Sequence, residues 1–187
     1  MIKHFNTLWL VVVAALLLLL AFNPTLVSRE SISQLLSQLG TSALIVYILL
    51  SLTRSLIMIP STPFILAGAI SFPEIPILIF VISYIGIVVG TLLIYSFPAL
   101  GNYDEYLEGK YPKQIGVIKG KMQGRYSFWI VIVWSFFPLV PTDLICYVAG
   151  IAKMSYKKLV AAVVIGEWPL VTFYVFAGVE LGEWLRV

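Results

Sequence analysis

Apolar residues dominate five stretches of the chain, and polar residues mark the intervals between them. These stretches cover residues 5–22, 43–72, 76–98, 126–152 and 159–181. A helix needs about 20 residues to cross the hydrocarbon core of a bilayer. The first, third and fifth stretches therefore predict membrane-crossing helices. The second and fourth stretches are too long for one crossing and too short for two.

Proline pairs interrupt the two long stretches. One reads IPSTPFILAGAI around Pro60 and Pro63, and the other reads FFPLVPTDLICYVAG around Pro138 and Pro141. Proline lacks a backbone N–H and clashes with the preceding turn, so it breaks a helix. Broken backbone is tolerated at membrane depth only where protein buries it or where it lines a watery cavity. The pattern predicts an all-α integral membrane protein with two re-entrant helical hairpins.

The positions of the basic residues favour this topology. If 5–22, 76–98 and 159–181 cross the membrane and the N-terminus is cytoplasmic, nine basic residues lie inside and two lie outside. The inside set is Lys3, Lys110, Lys113, Lys119, Lys121, Arg125, Lys153, Lys157 and Lys158, and the outside set is Arg29 and Arg186. Such an excess is typical of cytoplasmic loops. A crossing at 126–152 would instead move the last three lysines outside.

The two hairpins also resemble each other. Each has P-x-x-P near its tip and then Ala-Gly, which includes Gly68 in the first hairpin and Gly150 in the second. Because they would enter from opposite faces, we interpret them as an inverted repeat whose broken helices meet near the midplane and form a substrate site. In the third stretch, Gly86 and Gly90 form a GxxxG motif, which predicts close helix packing. This motif permits a homo-oligomer without deciding the oligomeric state.

Residues 1–39 precede the predicted membrane domain, which we expect to cover 40–182. Residues 1–22 have a basic start and an apolar core, but no small-x-small cleavage site follows, which favours a retained helix over a signal peptide. Segment 30–39 has one apolar helical face and predicts an amphipathic helix at the membrane interface. That face carries Ile32, Leu35, Leu36 and Leu39.

Composition supports a membrane domain and argues against several functions. The chain has 187 residues, of which 60% are hydrophobic and 11% charged, whereas a soluble domain has roughly 25% charged residues. His4 is the only histidine and Cys146 the only cysteine, so histidine-dependent hydrolysis, a histidine-ligated metal and an internal disulfide are not expected. The net charge of +3 lies in short loops, and no Walker loop is present. We expect no enzyme activity, no cofactor, no metal and no nucleic-acid partner.

Three ionisable residues lie well inside the apolar stretches, away from their ends, namely Arg54, Asp143 and Glu167. Ionisable groups at membrane depth are costly and are therefore candidate functional residues. One positive and two negative groups at similar depth also invite pairing. The predicted substrate site comprises these three residues and the prolines of both tips: Pro60, Pro63, Pro138 and Pro141.

Each of the three residues also has a structural interpretation. For Arg54 it is contact with lipid phosphates or with carbonyl groups at the hairpin tip. For Asp143 it is a cap on the returning half-helix. For Glu167 it is a protonated acid that is hydrogen-bonded to a neighbouring helix. The basic loop 110–125 is mainly a topology signal, with attraction to anionic headgroups as its second interpretation.

These motifs resemble the VTT/DedA superfamily, also called SNARE-associated Golgi proteins. The resemblance covers residues 40–180 and rests on IPSTPFILAGAISF (59–72), the GxxxG segment, FFPLVPTDLICYVAGIAKMSYKKL (136–159) and GEWPLVTFYVFAG (166–178). Similar proteins have two opposed re-entrant hairpins. They often carry an arginine at the place of Ser135, and another after the GxxxG helix, where this chain reads FPALG at 97–101. Arg54 is then the remaining deep cation.

The resemblance implies a protein that moves lipid between leaflets. Similar proteins are implicated in phospholipid scrambling in eukaryotes and in recycling polyprenyl-phosphate carriers in bacteria. A phosphate-bearing headgroup would contact Arg54, while Asp143 and Glu167 would shape the site or carry protons. The alternatives are a proton-coupled carrier of a small solute or ion, and a non-transporting membrane organiser. The compact chain favours a prokaryotic plasma membrane.

Overall fold

The structure is a computed structural model that describes residues 3–137 and 140–184. Within these ranges it is helical and contains no strand. The α-helices are α1 (Lys3–Phe22), α2 (Arg29–Gln38), α3 (Ala43–Thr53), α4 (Thr62–Ser71), α5 (Pro76–Ser96), α6 (Tyr103–Lys110), α7 (Pro112–Gln123), α8 (Ser127–Ser135), α9 (Thr142–Ile151) and α10 (Tyr156–Trp184). Short 3₁₀-helices occupy Pro24–Val27, Gly40–Ser42, Arg54–Ile57 and Phe97–Asn102.

Three helical stretches of the described chain are long and apolar enough to cross a membrane. They are Gly40–Ile57, Pro76–Leu100 and Tyr156–Ala177. The last two match two of the predicted crossings. The remaining predicted crossing, 5–22, corresponds to helix α1, in which the apolar stretch Asn6–Leu19 is shorter. Gly40–Ile57 was not among the predicted crossings, because it lies in the stretch for which we predicted a re-entrant hairpin.

The chain does turn back in this stretch, which we call the first broken segment (residues 43–71). Met58 has a left-handed φ of 51° and ends the 3₁₀-turn that follows α3. Near the other end, the ring of Tyr47 in α3 lies 5.8 Å from that of Phe72, just after α4. Gly68 in α4 faces the same tyrosine, where a β-carbon would lie 2.4 Å from the ring. The start of α3 and the end of α4 therefore lie together, with the break at the opposite end.

The second broken segment (residues 127–151) folds back in the same way. Gln123, before α8, donates a hydrogen bond of 2.7 Å to the carbonyl of Ala152, after α9. Between the two helices, the indole of Trp134 donates to the carbonyl of Pro141 at 3.3 Å. The ends of this segment thus also lie together, and its break lies at the far end.

Helix α5 packs against both segments, and its contacts give their relative direction. In order along α5, the contacting pairs are Ser83 with Tyr47, Gly86 with Ser51, Gly90 with Ser55, and Tyr95 with Gly150. The ends of the first broken segment lie toward the N-terminus of α5, and those of the second lie toward its C-terminus. The two breaks consequently approach each other from opposite directions, close to Gly90.

Helix α10 covers the other side of both segments. Near its start, Lys158 donates to the hydroxyl of Ser127 at 2.8 Å. Farther along, Gly166 lies against α8, where a β-carbon would be 2.7 Å from the carbonyl oxygen of Ile132. The helix then packs against α4. Helices α5 and α10 also pack directly against each other, and together they contact both broken segments.

Helix α2, for which we predicted an interfacial position, presents part of its four-residue apolar face to protein. Ile32 and Leu36 are buried, whereas Leu35 is exposed. The hydroxyl oxygens of Ser33 and Ser71 lie 2.9 Å apart, so α2 packs against the end of α4. Part of the apolar face therefore covers protein, which the periodicity of the sequence does not distinguish from covering lipid.

A salt bridge ties the end of the second broken segment to α6. Lys153 has a left-handed φ of 53°, and its ammonium lies 2.9 Å from a carboxylate oxygen of Asp104. The hydrogen bond from Lys153 to Asp104 raises the pKa of the lysine. Because an ordinary lysine is already charged at neutral pH, this shift extends its charged range only at alkaline pH.

Candidate functional site

Arg54 and Asp143 form a buried ion pair that joins the two broken segments. An Nη1–Oδ2 distance of 3.3 Å separates them, and each side chain is 7% exposed. Arg54 lies in the 3₁₀-turn that follows α3 in the first broken segment, and Asp143 lies in the first turn of α9 in the second. A buried charge is strongly unfavourable without a partner. Each segment therefore supplies the charge that the other requires.

The structure supports the structural interpretation of Arg54, which was contact with carbonyl groups at its tip, more than that of Asp143, which was helix capping. Arg54 also donates from Nη1 to the carbonyl of Ile59 at 3.0 Å, so it contacts the backbone of its own tip as well as Asp143. The N-cap position of α9 is Pro141, which makes no side-chain capping bond. Asp143 accepts its bond from Arg54 instead, although its place in the first turn suits a negative charge.

Gly90 allows the ion pair to lie directly against α5. A β-carbon at Gly90 would be 2.0 Å from the hydroxyl oxygen of Ser55 and 3.8 Å from Asp143 Oδ1. Ser55 is fully buried beside the pair, and its hydroxyl makes no hydrogen bond of normal geometry within the described chain. Only glycine permits this approach without displacing Ser55.

Glu167 lies on the neighbouring side of the same region. Thr142 donates from Oγ1 to Glu167 Oε1 at 2.5 Å, which joins α9 to α10. Glu167 is buried, and Pro169 follows within the same helix. The expected hydrogen bond to a neighbouring helix is therefore present. Thr142 also places Glu167 beside Asp143, the next residue of α9.

A narrow cleft separates the two breaks. Its polar lining comes from Ser61 and Thr62 of the first segment, Ser135 and Thr142 of the second, and Glu167 of α10. The volume that water can occupy is about 10 Å³, or roughly one molecule. The hydroxyl of Ser135 is buried beside this cleft and has no hydrogen-bond partner among residues 3–137 and 140–184. The cleft is closed to a headgroup in this conformation.

The predicted prolines lie at the breaks. Pro60 lines the cleft, Pro63 lies in the first turn of α4, and Pro141 precedes α9. Pro138 lies outside the described residues. Sequence reasoning did not select Thr142 as a site residue, and it noted Ser135 only as a departure from similar proteins. Hydroxyl side chains next to the proline breaks were the available signal.

Comparison with known proteins identifies the family. A model of the VTT domain matches residues 59–180, which is more than half of the chain. The matched range contains Asp143, Glu167 and the second break, and it begins at Ile59 within the first break, after Arg54. Neither the curated proteins nor the solved structures yielded a match. The chain is an integral membrane protein and belongs to the VTT domain family, the VTT/DedA group that its motifs resemble.

Proposed function

We propose that this protein moves lipid between the two leaflets of its membrane, with the headgroup passing between the two broken segments. Family membership supports a transporter-like role in the membrane. The observation that carries the proposal is the buried Arg54–Asp143 pair at the meeting point of the breaks. Buried charges at membrane depth are costly and mark substrate or ion pathways.

In this proposal α5 and α10 cross the membrane, and the broken segments are opposed re-entrant hairpins of an inverted repeat. Helix α5 has 21 residues and is about 31 Å long at 1.5 Å per residue, close to the thickness of a hydrocarbon core. Helix α8 has nine residues and reaches about 14 Å, or half that depth. The ends of the two segments lie toward opposite ends of α5, as the proposal requires.

The topology can be tested by cysteine labelling in a Cys146→Ala background. We expect single cysteines at 110 and 153 to be labelled from the cytoplasmic face, because Lys153 is bonded to Asp104 in the helix that ends at Lys110. A cysteine at 74, between α4 and α5, should be labelled from the opposite face. Labelling of 110 and 153 from different faces would show that the second segment crosses the membrane.

Transport requires the two tips to separate. A guanidinium has five N–H donors, and Nη1 of Arg54 makes both bonds of this residue within the described ranges. A phosphate could replace Asp143 on this group through charge-assisted, bidentate hydrogen bonds. The hydrocarbon chains would remain in the bilayer while the headgroup crossed in the opened cleft.

The direct experiment is leaflet exchange in vesicles that contain the purified protein. One arm uses a fluorescent phospholipid and the other a labelled polyprenyl phosphate. We expect exchange in at least one arm to exceed that of protein-free vesicles. An unchanged rate in both arms contradicts the proposal.

A proton-coupled carrier of a small solute is the second candidate, and the polar cleft at Glu167 favours it. Glu167→Gln keeps an acceptor for Thr142 but cannot release a proton. If lipid moves without coupling, we expect leaflet exchange in this variant to stay within about threefold of wild type, since one neutral hydrogen bond contributes little. The second candidate would be supported if the wild-type protein took up a solute in response to a pH gradient but showed no lipid exchange. The Glu167→Gln variant should then show no uptake.

A further inference from the structure

An apolar groove runs along the outward face of α8. Its volume is about 530 Å³, and aromatic and aliphatic side chains form its wall. Tyr126, Trp129, Val133 and Phe137 recur at intervals of three to four residues, which places them on one helical face. This surface lies outside the polar cleft that the proposed function uses.

The opposite face of α8 holds the helix in the protein. Val131 and Ser135 are buried there, and Gly166 of α10 lies close to Ser135. Trp129 is 62% exposed and Val133 is also exposed, so the groove is not part of this packing. Trp134, another wall residue, is held by its hydrogen bond to Pro141.

The two ends of the groove differ in chemistry. At the break, Phe137 and Val140 line both the groove and the polar cleft, so the two cavities adjoin there. At the start of α8, the exposed guanidinium of Arg125 lies 4.5 Å from the ring centroid of Tyr126. From Tyr126 to Phe136 the chain rises about 15 Å, which is half of a hydrocarbon core. The groove therefore has the length and polarity of one leaflet.

We propose that this groove binds a hydrocarbon chain of a lipid with a net-negative phosphate headgroup, and that this headgroup contacts Arg125. Such a lipid would lie in the leaflet next to the two ends of the second broken segment. Its hydrocarbon chain would extend along the groove toward the cleft. The identification of this lipid as the transported one rests on the proposed function. Binding in the groove does not.

Charge at the mouth favours an anionic headgroup. Arg125 has no ion pair with a described acidic residue, whereas the carboxylates of Asp104 and Glu108 in α6 are bonded to Lys153 and Lys119. One basic residue near the surface attracts an anionic lipid by about 1 kcal/mol, or roughly fivefold in binding. Tyrosine and tryptophan rings are also enriched at the level of headgroups.

Photocrosslinking in vesicles tests the groove with a matched control. A benzoylphenylalanine replaces Trp129 in the full chain, and in a second protein it replaces Phe173 of α10, because both positions are 62% exposed. The vesicles contain phosphatidylcholine and phosphatidic acid with a tagged chain end. We expect about fivefold more phosphatidic acid adduct at 129 than at 173, and Arg125→Gln should remove most of this excess. Adducts of tagged phosphatidylcholine should not change with Arg125→Gln.

Three results would overturn this inference: equal adducts at 129 and 173, an adduct at 129 that is indifferent to Arg125→Gln, or crosslinking to a second copy of the chain. Leaflet exchange then separates the two proposals. Val133→Trp fills the groove and should slow exchange several-fold, whereas Ile85→Trp on the exposed face of α5 should not. Selective adducts without wild-type exchange support the groove and contradict the proposed function. Leaflet exchange without selective adducts supports the proposed function and contradicts lipid binding in the groove.

Discussion

Arg54→Ala is expected to lower the free energy of unfolding by about 3–5 kcal/mol, because it leaves the carboxylate of Asp143 buried without its partner. The pair is 3.3 Å apart and almost fully buried on both sides. Loss of Nη1 also removes the bond to the carbonyl of Ile59, which closes the first break. Equilibrium unfolding in detergent micelles, followed by circular dichroism, measures the change. The same variant should lose leaflet exchange.

A double variant separates the structural role of the pair from its functional role. Arg54→Met with Asp143→Leu removes both charges and keeps the site filled, which is often neutral for stability. We expect its stability to return to within about 1 kcal/mol of wild type, while leaflet exchange remains lost. If the double variant recovers both stability and exchange, the ion pair is only structural and the proposed site is wrong.

Arg29→Ala is the matched control for the loss of one arginine from an ion pair. Arg29 and Glu30 form an exposed pair, with side chains 36% and 59% exposed. Exposed pairs contribute about 0–1 kcal/mol. This variant should therefore stay close to wild type in both unfolding and leaflet exchange.

Gly150→Ala is expected to give the second large effect, a loss of about 1–3 kcal/mol in the free energy of unfolding. A β-carbon at this position would lie 2.2 Å from the backbone oxygen of Tyr95, which cannot rotate away. The clash would push α9 off α5 at the place where the hydroxyl of Tyr95 donates to the carbonyl of Met154 at 2.6 Å. The same unfolding experiment measures this change.

Gly116→Ala is the matched control for the added methyl group. Gly116 lies in α7, where a β-carbon would meet no atom within 4 Å. Alanine is the better helix former by about 1 kcal/mol, so this variant should be slightly more stable than wild type. Replacing glycine with alanine is therefore expected to lower the free energy of unfolding at Gly150 and to raise it at Gly116. A neutral or stabilising Gly150→Ala would contradict the close packing of α9 against α5.

The places where the long helices break could be predicted from sequence. Proline lacks a backbone N–H, and the proline pairs that include Pro60, Pro63 and Pro141 marked the breaks, whereas the single Pro169 is accommodated within α10. The two long uninterrupted helices, α5 and α10, follow equally from local composition and length. Their apolar stretches match predicted crossings at 76–98 and 159–181. The positions of Arg54, Asp143 and Glu167 within their apolar stretches were likewise available from counting residues.

The sequence by itself therefore determined the class of protein, the position of its breaks and the family motifs, because each depends on neighbouring residues in the chain. Only the tertiary structure decided that Asp143 bonds to Arg54, 89 residues away, while Glu167 bonds to Thr142. It also decided that α2 covers α4, and that Ser135 faces a closed cleft without a hydrogen-bond partner among the residues that the structure describes. Such partners depend on how each helix is rotated about its axis and crosses its neighbours, and periodicity within one helix does not specify that rotation.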